Sequence, residues 1–556
     1  MKEEIAKIVE QTILDLSEFN ISNIENIKFD VQVPKKKEFG DFSTNAALII
    51  SNKLDLNSRE VAKKIVEQIN KHEYPIIDKL DIAGPGFINF YIKETSIVTK
   101  LIDIFTKNEK YGSSNIGQSQ KVIVEFVSAN PTGLLHFGHA RNAVVGDSIC
   151  RILNFSGYKV TREFYINDAG RQMEMLAESV YARYMQIWGF EYEIPEDGYH
   201  GDYIVDIANE IKKQSGDKLT KEDKNKALEI SKEIAYKILL GEIKKDLKEL
   251  RVEFDNWYSE RSELHDGIEN RKLNTIKEKL GKANALEIKD GALWFKATEF
   301  GDSQDWVLIK SDDAPTYFIA DIAYHDDKYE RGYTKLINVW GADHHSHFTR
   351  LKAAMKALGH NEELLDVLLI QFVRLIKEGK EVSMSKRAGT FITLRDVLKE
   401  VGCDVTRFFL LMRSSDSHLD FDLDLAAKQS NDNPVYYVQY AHARISSILR
   451  NANDYSLLSS QEYLNELKNE DEKNIVKKLL QFPEVIETSS NSLSPHKIVY
   501  YLQELASEFH MYYNKSKIIN LDDKNLSSAR IYLISCIQIV IRNGLNLLGV
   551  NAPDRM

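Results

Sequence analysis

Two histidines three residues apart, His136 and His139, flank Gly138 just after the breaker Asn130-Pro-Thr-Gly133. Imidazoles at the mouth of a helix have three uses. They can pack or cap as structural groups. They can begin a metal site, with a third ligand from His344, His345 or His347. Or they can donate to the phosphates of a nucleotide lying on the helix N-terminus, where Gly138 would let the ligand approach the backbone. Charge gathers at a phosphorus undergoing substitution, so positioned donors are the main catalytic need there. The loop Val382-Ser-Met-Ser-Lys-Arg-Ala-Gly-Thr390 favours the third use. Alone, such a loop is most often a solvated turn. Here Lys386 follows His136 by 250 residues, after the last strand of a doubly wound domain, whose ligands bind at the strands' carboxyl ends. A lysine placed there could clamp pyrophosphate as it leaves.

The elements that must hold these groups are legible nearby. Val122-Ile-Val-Glu-Phe-Val127 predicts a buried parallel strand, and the helical pattern behind the breaker closes at Gly157, a C-terminal cap. Strand, loop and helix start make an anion site, because unpaired N–H groups and the helix dipole point at whatever lies there. Residues 158–166 predict a second strand, and Asn167-Asp168-Ala-Gly170 opens another helix with Asp168 as its expected N-cap. This rhythm argues for a parallel doubly wound sheet. Residues 190–290 are polar and helical and read as an insertion. Strand patterns return at 292–295, 306–309, 317–320, 335–340 and 367–373.

The expected fold is α/β, with a doubly wound parallel-sheet (Rossmann-type) catalytic domain over 111–375 and its helical insertion at about 190–290. Residues 1–110 predict a small α+β domain, with strands near 29–33 and 86–92. Its basic run Lys35-Lys36-Lys37 is either a solvated loop or a phosphate contact. Residues 376–556 hold the Lys386 loop, a connecting region and an all-α bundle, where Val435, Val438, Ala441, Ile445 and Ile448 mark one apolar helix face.

A chain of 556 residues exceeds a single core, and its net charge of −11 advertises no general affinity for nucleic acid, though a local basic stripe would suffice. Three scattered cysteines, Cys150, Cys403 and Cys536, argue against a disulfide framework or a cysteine zinc module. The N-terminus is a charged amphipathic helix without a signal pattern. The longest apolar run, 531–541, falls short of the roughly 20 residues a bilayer needs. A cytoplasmic protein without a membrane partner is expected.

His136-Phe-Gly-His139 resembles the His-Ile-Gly-His signature of class I aminoacyl-tRNA synthetases, and Ser383-Met-Ser-Lys-Arg387 resembles their Lys-Met-Ser-Lys-Ser loop. The flanks resemble the arginyl-tRNA synthetase family in particular. They include Glu125-Phe-Val-Ser-Ala-Asn-Pro-Thr-Gly133, Gly40-Asp-Phe-Ser-Thr-Asn-Ala46, Trp340-Gly-Ala-Asp-His-His345, Arg413-Ser-Ser-Asp-Ser-His-Leu-Asp-Phe-Asp422 and Asn433-Pro-Val-Tyr-Tyr-Val-Gln-Tyr-Ala-His-Ala-Arg444. The resemblance runs to the terminal Ala552-Pro-Asp-Arg-Met556.

That resemblance implies adenylation of L-arginine by ATP with Mg²⁺, then transfer of the arginyl group to the terminal adenosine of its tRNA. His136 and His139 would contact ATP and stabilise the pentacoordinate phosphorus, and Lys386 would hold pyrophosphate. Gly138, Met384 and Ser385 would line the ATP site, with Asp343, His344 and His347 on its adenosine side. Arginine would fall to Glu125, Asn130, Tyr317 and Asp321. Chemistry agrees, since a guanidinium pairs with planar carboxylates and Glu125 and Asp321 are expected at strand ends. Asp404-Val-Thr-Arg407 stands where the family has Asp-Ala-Leu-Arg, at the start of its anticodon-binding region. There Tyr436, Tyr437 and Tyr440 either stack on anticodon bases or pack in the core. The first 110 residues resemble the family's extra domain that contacts the outer corner of tRNA, which favours the phosphate reading of Lys35, Lys36 and Lys37. The chain departs from the family loop at Ser383, where a lysine is usual. Either Lys380 reaches in, or Lys386 and Arg387 suffice. A monomer is expected. Another class I synthetase, a small adenylyltransferase and a tRNA-binding paralogue without catalysis share parts of the pattern.

Overall fold

The computed structural model describes residues 1–19, 27–34, 36–265, 271–382 and 392–556, and the backbone alone at Lys37, Glu94, Arg271 and His345. The chain opens with α1 (Lys2–Asp15), which buries Ile5, Ile8, Val9, Thr12 and Ile13 along one stripe. Strands β1 (Val31–Gln32) and β2 (Phe42–Thr44) precede α2 (Ala46–Leu54) and α3 (Ser58–Asn70). The side chain of Asn57 caps α3 by accepting from the N–H groups of Arg59 and Glu60. With β3 (Ile77–Ala83) and β4 (Phe87–Ile92) the strands form an antiparallel sheet in the order β1-β2-β4-β3. Helices α4 (Glu94–Thr99) and α5 (Leu101–Lys107) lead out of it.

The central sheet begins at β5 (Lys121–Glu125), buried in all but its first residue. Helix α6 (Phe137–Phe155) follows, and Gly157 stands just past its end at φ 88°, a conformation without cost only for glycine. Then come β6 (Lys159–Ile166), α7 (Arg171–Ile187), α8 (Asp202–Ser215), α9 (Lys224–Glu249) and β7 (Asn256–Ser259). Helix α10 (Arg271–Lys282) precedes β8 (Leu286–Lys289), β9 (Ala292–Phe295) and β10 (Trp306–Ile309). Helix α11 (Tyr317–Glu330), β11 (Lys335–Gly341), α12 (His345–Ala357) and β12 (Leu365–Ile370) complete the domain. The five-stranded sheet runs β12-β11-β5-β6-β7, parallel at every pairing. Strand order reverses between β5 and β11, and the crevice beyond their carboxyl ends is where such sheets bind ligands.

Four expectations need correction. Residues 317–320 are not a strand but the first turn of α11. Their apolar quartet is too short to display a period; Phe318, Ile319, Ile322 and Ala323, all buried, show the helical one. Asp321 therefore sits on a helix and not at a strand end. The stretch 190–290 is not wholly an insertion, since β7 within it rejoins the parallel sheet as an edge strand, while β8, β9 and β10 form a separate antiparallel sheet. Asp168 does not cap α7, which starts after Gly170 without a side-chain cap. Its carboxylate accepts instead from Ser259 Oγ at 2.7 Å and the Arg261 N–H at 2.9 Å, tying β6 to the end of β7.

Beyond β12 come β13 (Val373–Lys377), β14 (Lys380–Val382), α13 (Leu394–Val401), α14 (Cys403–Leu410), β15 (Leu419–Asp422) and α15 (Leu423–Ala426). The small sheet β14-β13-β15 was not expected: β14 falls in the stretch read as loop, and β15 in the stretch beyond it read as helix. The bundle itself comprises α16 (Pro434–Asp454), α17 (Glu470–Leu480), α18 (Phe482–Asn491), α19 (His496–Lys515) and α20 (Lys524–Leu547). Among the described residues no helix is long and apolar enough to cross a membrane.

Candidate active site

The site starts where β5 ends. Val127 and Ser128 follow Glu125 at φ 69° and 41°, a left-handed turn that side chains rarely adopt and that its surroundings must hold. Asn142 on α6 does so, accepting from the Val127 N–H at 2.7 Å and donating to the Val339 carbonyl on β11 at 2.8 Å. Ser128 Oγ accepts from the Tyr165 N–H at 3.2 Å and donates to Glu125 Oε1 at 2.9 Å. The turn thus aims one hydroxyl back at a buried carboxylate.

His136 stands at the N-cap of α6 in extended conformation without a side-chain capping bond. Its ring stacks on that of His139, with centroids 3.7 Å apart and planes at 24°. A Cβ on Gly138 would lie 2.9 Å from the His136 ring, so only glycine leaves the ring its place across the helix start. A cavity of about 200 Å³ opens beside this pair, lined by Asn130, Gly133, His139, Gln172 and Tyr199 among others. Asn130 Nδ2 donates to Gln172 Oε1 at 2.7 Å on its wall. Among the described residues, no group of three or more His, Cys, Asp and Glu side chains is set to hold a metal ion.

A chain of buried polar groups starts at Glu125. Glu125, 5% exposed, accepts through Oε2 from the fully buried Lys328 ammonium at 2.7 Å. The same ammonium donates to Asn338 Oδ1 at 2.9 Å and lies 4.1 Å from the Tyr324 ring centroid. Asn338 Nδ2 donates to His325 Nε2 at 2.7 Å, and His325 Nδ1 donates to the Asp321 carbonyl at 2.8 Å. Burial holds His325 well below the ordinary histidine range, so it is neutral in this tautomer.

Asp321 carries the chain to α12. Its Oδ2 lies 2.8 Å from His347 Nε2, and His347 Nδ1 accepts from Arg350 Nε at 2.6 Å. An arginine can only donate, so the His347 proton resides on Nε2 and points at Asp321. Burial, and then Arg350 and His344, pull His347 down to about 4. Burial pushes the Asp321 carboxyl up to about 8, and the negative charges of Glu125 and Glu260 push the same way. Glu125 and Glu260 are thus near enough to oppose the charge of Asp321, and Tyr317 stands exposed one turn before it. A planar cation entering here would meet acceptors on several sides.

The remaining sequence candidates divide. His347 belongs to the carboxylate group, whereas Asp343 and His344 are exposed on the turn after β11. Met384, Ser385 and Lys386, like Ser383, lie outside the described residues, but both flanks of their loop are placed. Lys380 is exposed on β14. On the other side Ile392 accepts from the Phe137 N–H at 3.3 Å, the Leu394 N–H donates to Leu135 at 2.9 Å, and Thr393 bridges His136. Lys35 and the side chain of Lys37 are likewise outside; Lys36 is exposed and pairs with Glu38 at 3.4 Å. Tyr436, Tyr437 and Tyr440 are half-buried on α16. Tyr436 stacks on Tyr440 at 6.0 Å, Tyr437 packs on His510 at 4.5 Å, and the Arg444 guanidinium lies between Tyr440 and Tyr513 at 4.5 and 4.7 Å.

Sequence reasoning missed Ser128, Glu260, His325, Lys328 and Asn338. One signal was available: Asp321, His325 and Lys328 are spaced i, i+4, i+7 and share a helix face. Reading 317–320 as a strand concealed it.

A parallel sheet with its switch point at β5, stacked histidines opening α6 and a Lys386 loop whose far end pairs with that same helix start define the catalytic domain of a class I tRNA synthetase. The family model described as tRNA synthetases class I (R), catalytic domain, matches residues 100–416. The Arginyl tRNA synthetase N terminal domain matches 3–92, and the DALR anticodon binding domain matches 438–556. The chain belongs to the arginyl-tRNA synthetase family. It is 46% identical over 527 residues to arginine–tRNA ligase 1 of Halalkalibacterium halodurans, covering 95% of this chain and 94% of that one. It is 44% identical over 558 residues to the arginine–tRNA ligase of Anoxybacillus flavithermus, covering 100% and 99%. The structure of Thermus thermophilus arginyl-tRNA synthetase shares the fold across the full length of both chains, with a TM-score of 0.74 at 19% identity.

Proposed function

We propose that the chain joins L-arginine to its tRNA in two steps, by the following division of labour. The arginine guanidinium enters beside Glu125 and Asp321, with Tyr317 at the mouth, while Asn130 holds the amino-acid end. ATP, accompanied by Mg²⁺ as part of the substrate, lies on the start of α6 with its phosphates against His136 and His139. The arginine carboxylate attacks the α-phosphorus, arginyl-adenylate forms, and pyrophosphate leaves toward Lys386. The imidazoles donate to the oxygens that gain charge in the pentacoordinate state. The adenylate's carbonyl then passes to the ribose hydroxyl of the terminal adenosine, releasing AMP. Asp343 and His344 serve the adenosine side. The single observation that carries this division is the buried Glu125 carboxylate, hydrogen-bonded on both oxygens at the end of the strand that also leads to the histidine pair.

The other regions have assigned work under the same proposal. Residues 1–110, with Lys35, Lys36 and Lys37, contact the tRNA body. Residues 376–556 supply the loop and the anticodon surface around Tyr436, Tyr437 and Tyr440. The proposed groups for both steps come from one chain, which supports a monomer, working in the cytoplasm where charged tRNA is used. Pyrophosphate exchange with each amino acid in turn, with and without tRNA, tests the reading. Exchange with arginine, strengthened by tRNA, is expected. Exchange with a different amino acid would overturn the pocket assignment, and none with any would favour a tRNA-binding protein without catalysis.

A further inference from the structure

We propose that Lys328 is a positioning residue for arginine recognition, acting through Glu125 as one arm of a clamp whose other arm is Ser128. The inference rests on the reading of Glu125 as an arginine ligand and goes beyond it. A lysine with no exposed surface is costly unless every donor is used. Lys328 meets that cost with two oxygens, Glu125 Oε2 at 2.7 Å and Asn338 Oδ1 at 2.9 Å, and with the face of Tyr324 at 4.1 Å. Asn338 is itself held by His325, whose ring is anchored on the carbonyl of Asp321. The other oxygen of Glu125 takes the Ser128 hydroxyl at 2.9 Å, from the strained turn that Asn142 secures.

The consequence is geometric. Each carboxylate oxygen has about two acceptor directions. Lys328 occupies one on Oε2 and Ser128 one on Oε1, which fixes the plane of the carboxylate and leaves one direction on each oxygen for a bidentate guanidinium. Lys328 also ties Glu125 on β5 to the helix that carries Asp321: the bonds run through Lys328, Asn338 and His325 and end on the Asp321 main-chain carbonyl. The Glu125 carboxylate is therefore held against α11, the helix that carries Asp321, before arginine arrives.

The test is kinetic. In pyrophosphate exchange with tRNA present, Lys328→Met is expected to raise the arginine KM roughly tenfold, the loss of one charge-assisted hydrogen bond, while the ATP KM stays within about twofold. Glu125→Gln is measured in parallel, and the double variant is expected to be little worse than Glu125→Gln alone, because Lys328 acts through that carboxylate. Should Lys328→Met fail to fold, Ser128→Ala provides the same readout from the other arm, with a rise of about threefold expected. An arginine KM unchanged in the folded Lys328 variant, or raised together with the ATP KM, overturns the clamp. If Glu125→Gln itself leaves the arginine KM unchanged, the pocket assignment has failed instead.

Discussion

The N–H of Phe137, the first residue of the helix behind the histidine pair, donates to the carbonyl of Ile392 at 3.3 Å. That bond ties the far end of the signature loop to the start of α6. Lys386 precedes Ile392 by six residues and itself lies outside the described residues. Lys386→Ala is expected to lower the rate of arginine activation by orders of magnitude and leave tRNA affinity nearly intact, as measured by pyrophosphate exchange and by filter binding. An unchanged rate would remove the loop from the chemistry.

Glu125 is acidic, buried and already hydrogen-bonded on both oxygens. Glu125→Gln keeps the shape but replaces one acceptor with a donor. The arginine KM should rise strongly and the ATP KM little; equal effects on the two would place Glu125 outside the arginine pocket.

Asp321 predicts a pH dependence. Its carboxyl rises from an ordinary 3.8 to about 8 because burial and the charges of Glu125 and Glu260 oppose ionisation, against the weaker pull of Arg350 and Lys328, with His347 donating to it. The free protein is therefore expected to hold a proton there at neutrality, with this group's contribution to stability full below its ordinary value and lost as pH rises through about 8. A guanidinium prefers the carboxylate, so arginine binding releases that proton. Arginine affinity, followed by calorimetry, should improve from neutrality toward pH 8 and then level, with proton release visible in buffers of different ionisation enthalpy. Asp321→Asn should flatten the profile. His347, drawn from 6.5 to about 4, acts oppositely on stability: its contribution is present above 6.5 and lost as pH falls toward 4.

Arg407 joins the catalytic domain to the C-terminal part. Fully buried, it pairs with Asp147 of α6 at 2.5 Å and donates to the carbonyls of Leu548 and Leu250, both at 2.8 Å. Removing one partner of a buried pair usually costs about 3–5 kcal/mol. Arg407→Leu should sit near the lower end, because Arg151 still faces Asp147 at 2.7 Å and Arg162 at 3.7 Å. The denaturant midpoint of the variant against the parent chain measures it. No shift would show that the remaining arginines suffice.

Tyr440 stacks beside Tyr436 and under Arg444 on α16. A base stacked there would contribute about 1–3 kcal/mol. Tyr440→Ala should therefore raise the tRNA KM roughly tenfold with the arginine KM unchanged. Loss of thermal stability with an unchanged tRNA KM would assign the ring to packing.

Glu125, Asn130, His136 and His139 lie on one strand, one turn and one helix start; local pattern placed the histidines at a helix mouth, and the family resemblance singled out Glu125 and Asn130. The strand at 121–125, the cap at Gly157 and the helical bundle were legible for the same reason: period and punctuation are written in neighbouring residues. The partners of Glu125 were not. Lys328 is 203 residues away and reaches it only because α11 and β11 pack across β5. Tertiary packing brought β7 back to the sheet edge and sent Asp168 to bond across strands, whereas the helix over 317–320 was written in the wider period of Phe318, Ile319, Ile322 and Ala323. Hydrophobic period reports which face of an element is buried, but a buried charge takes its partner from whatever the fold brings within hydrogen-bonding distance, and that distance does not exist in the sequence.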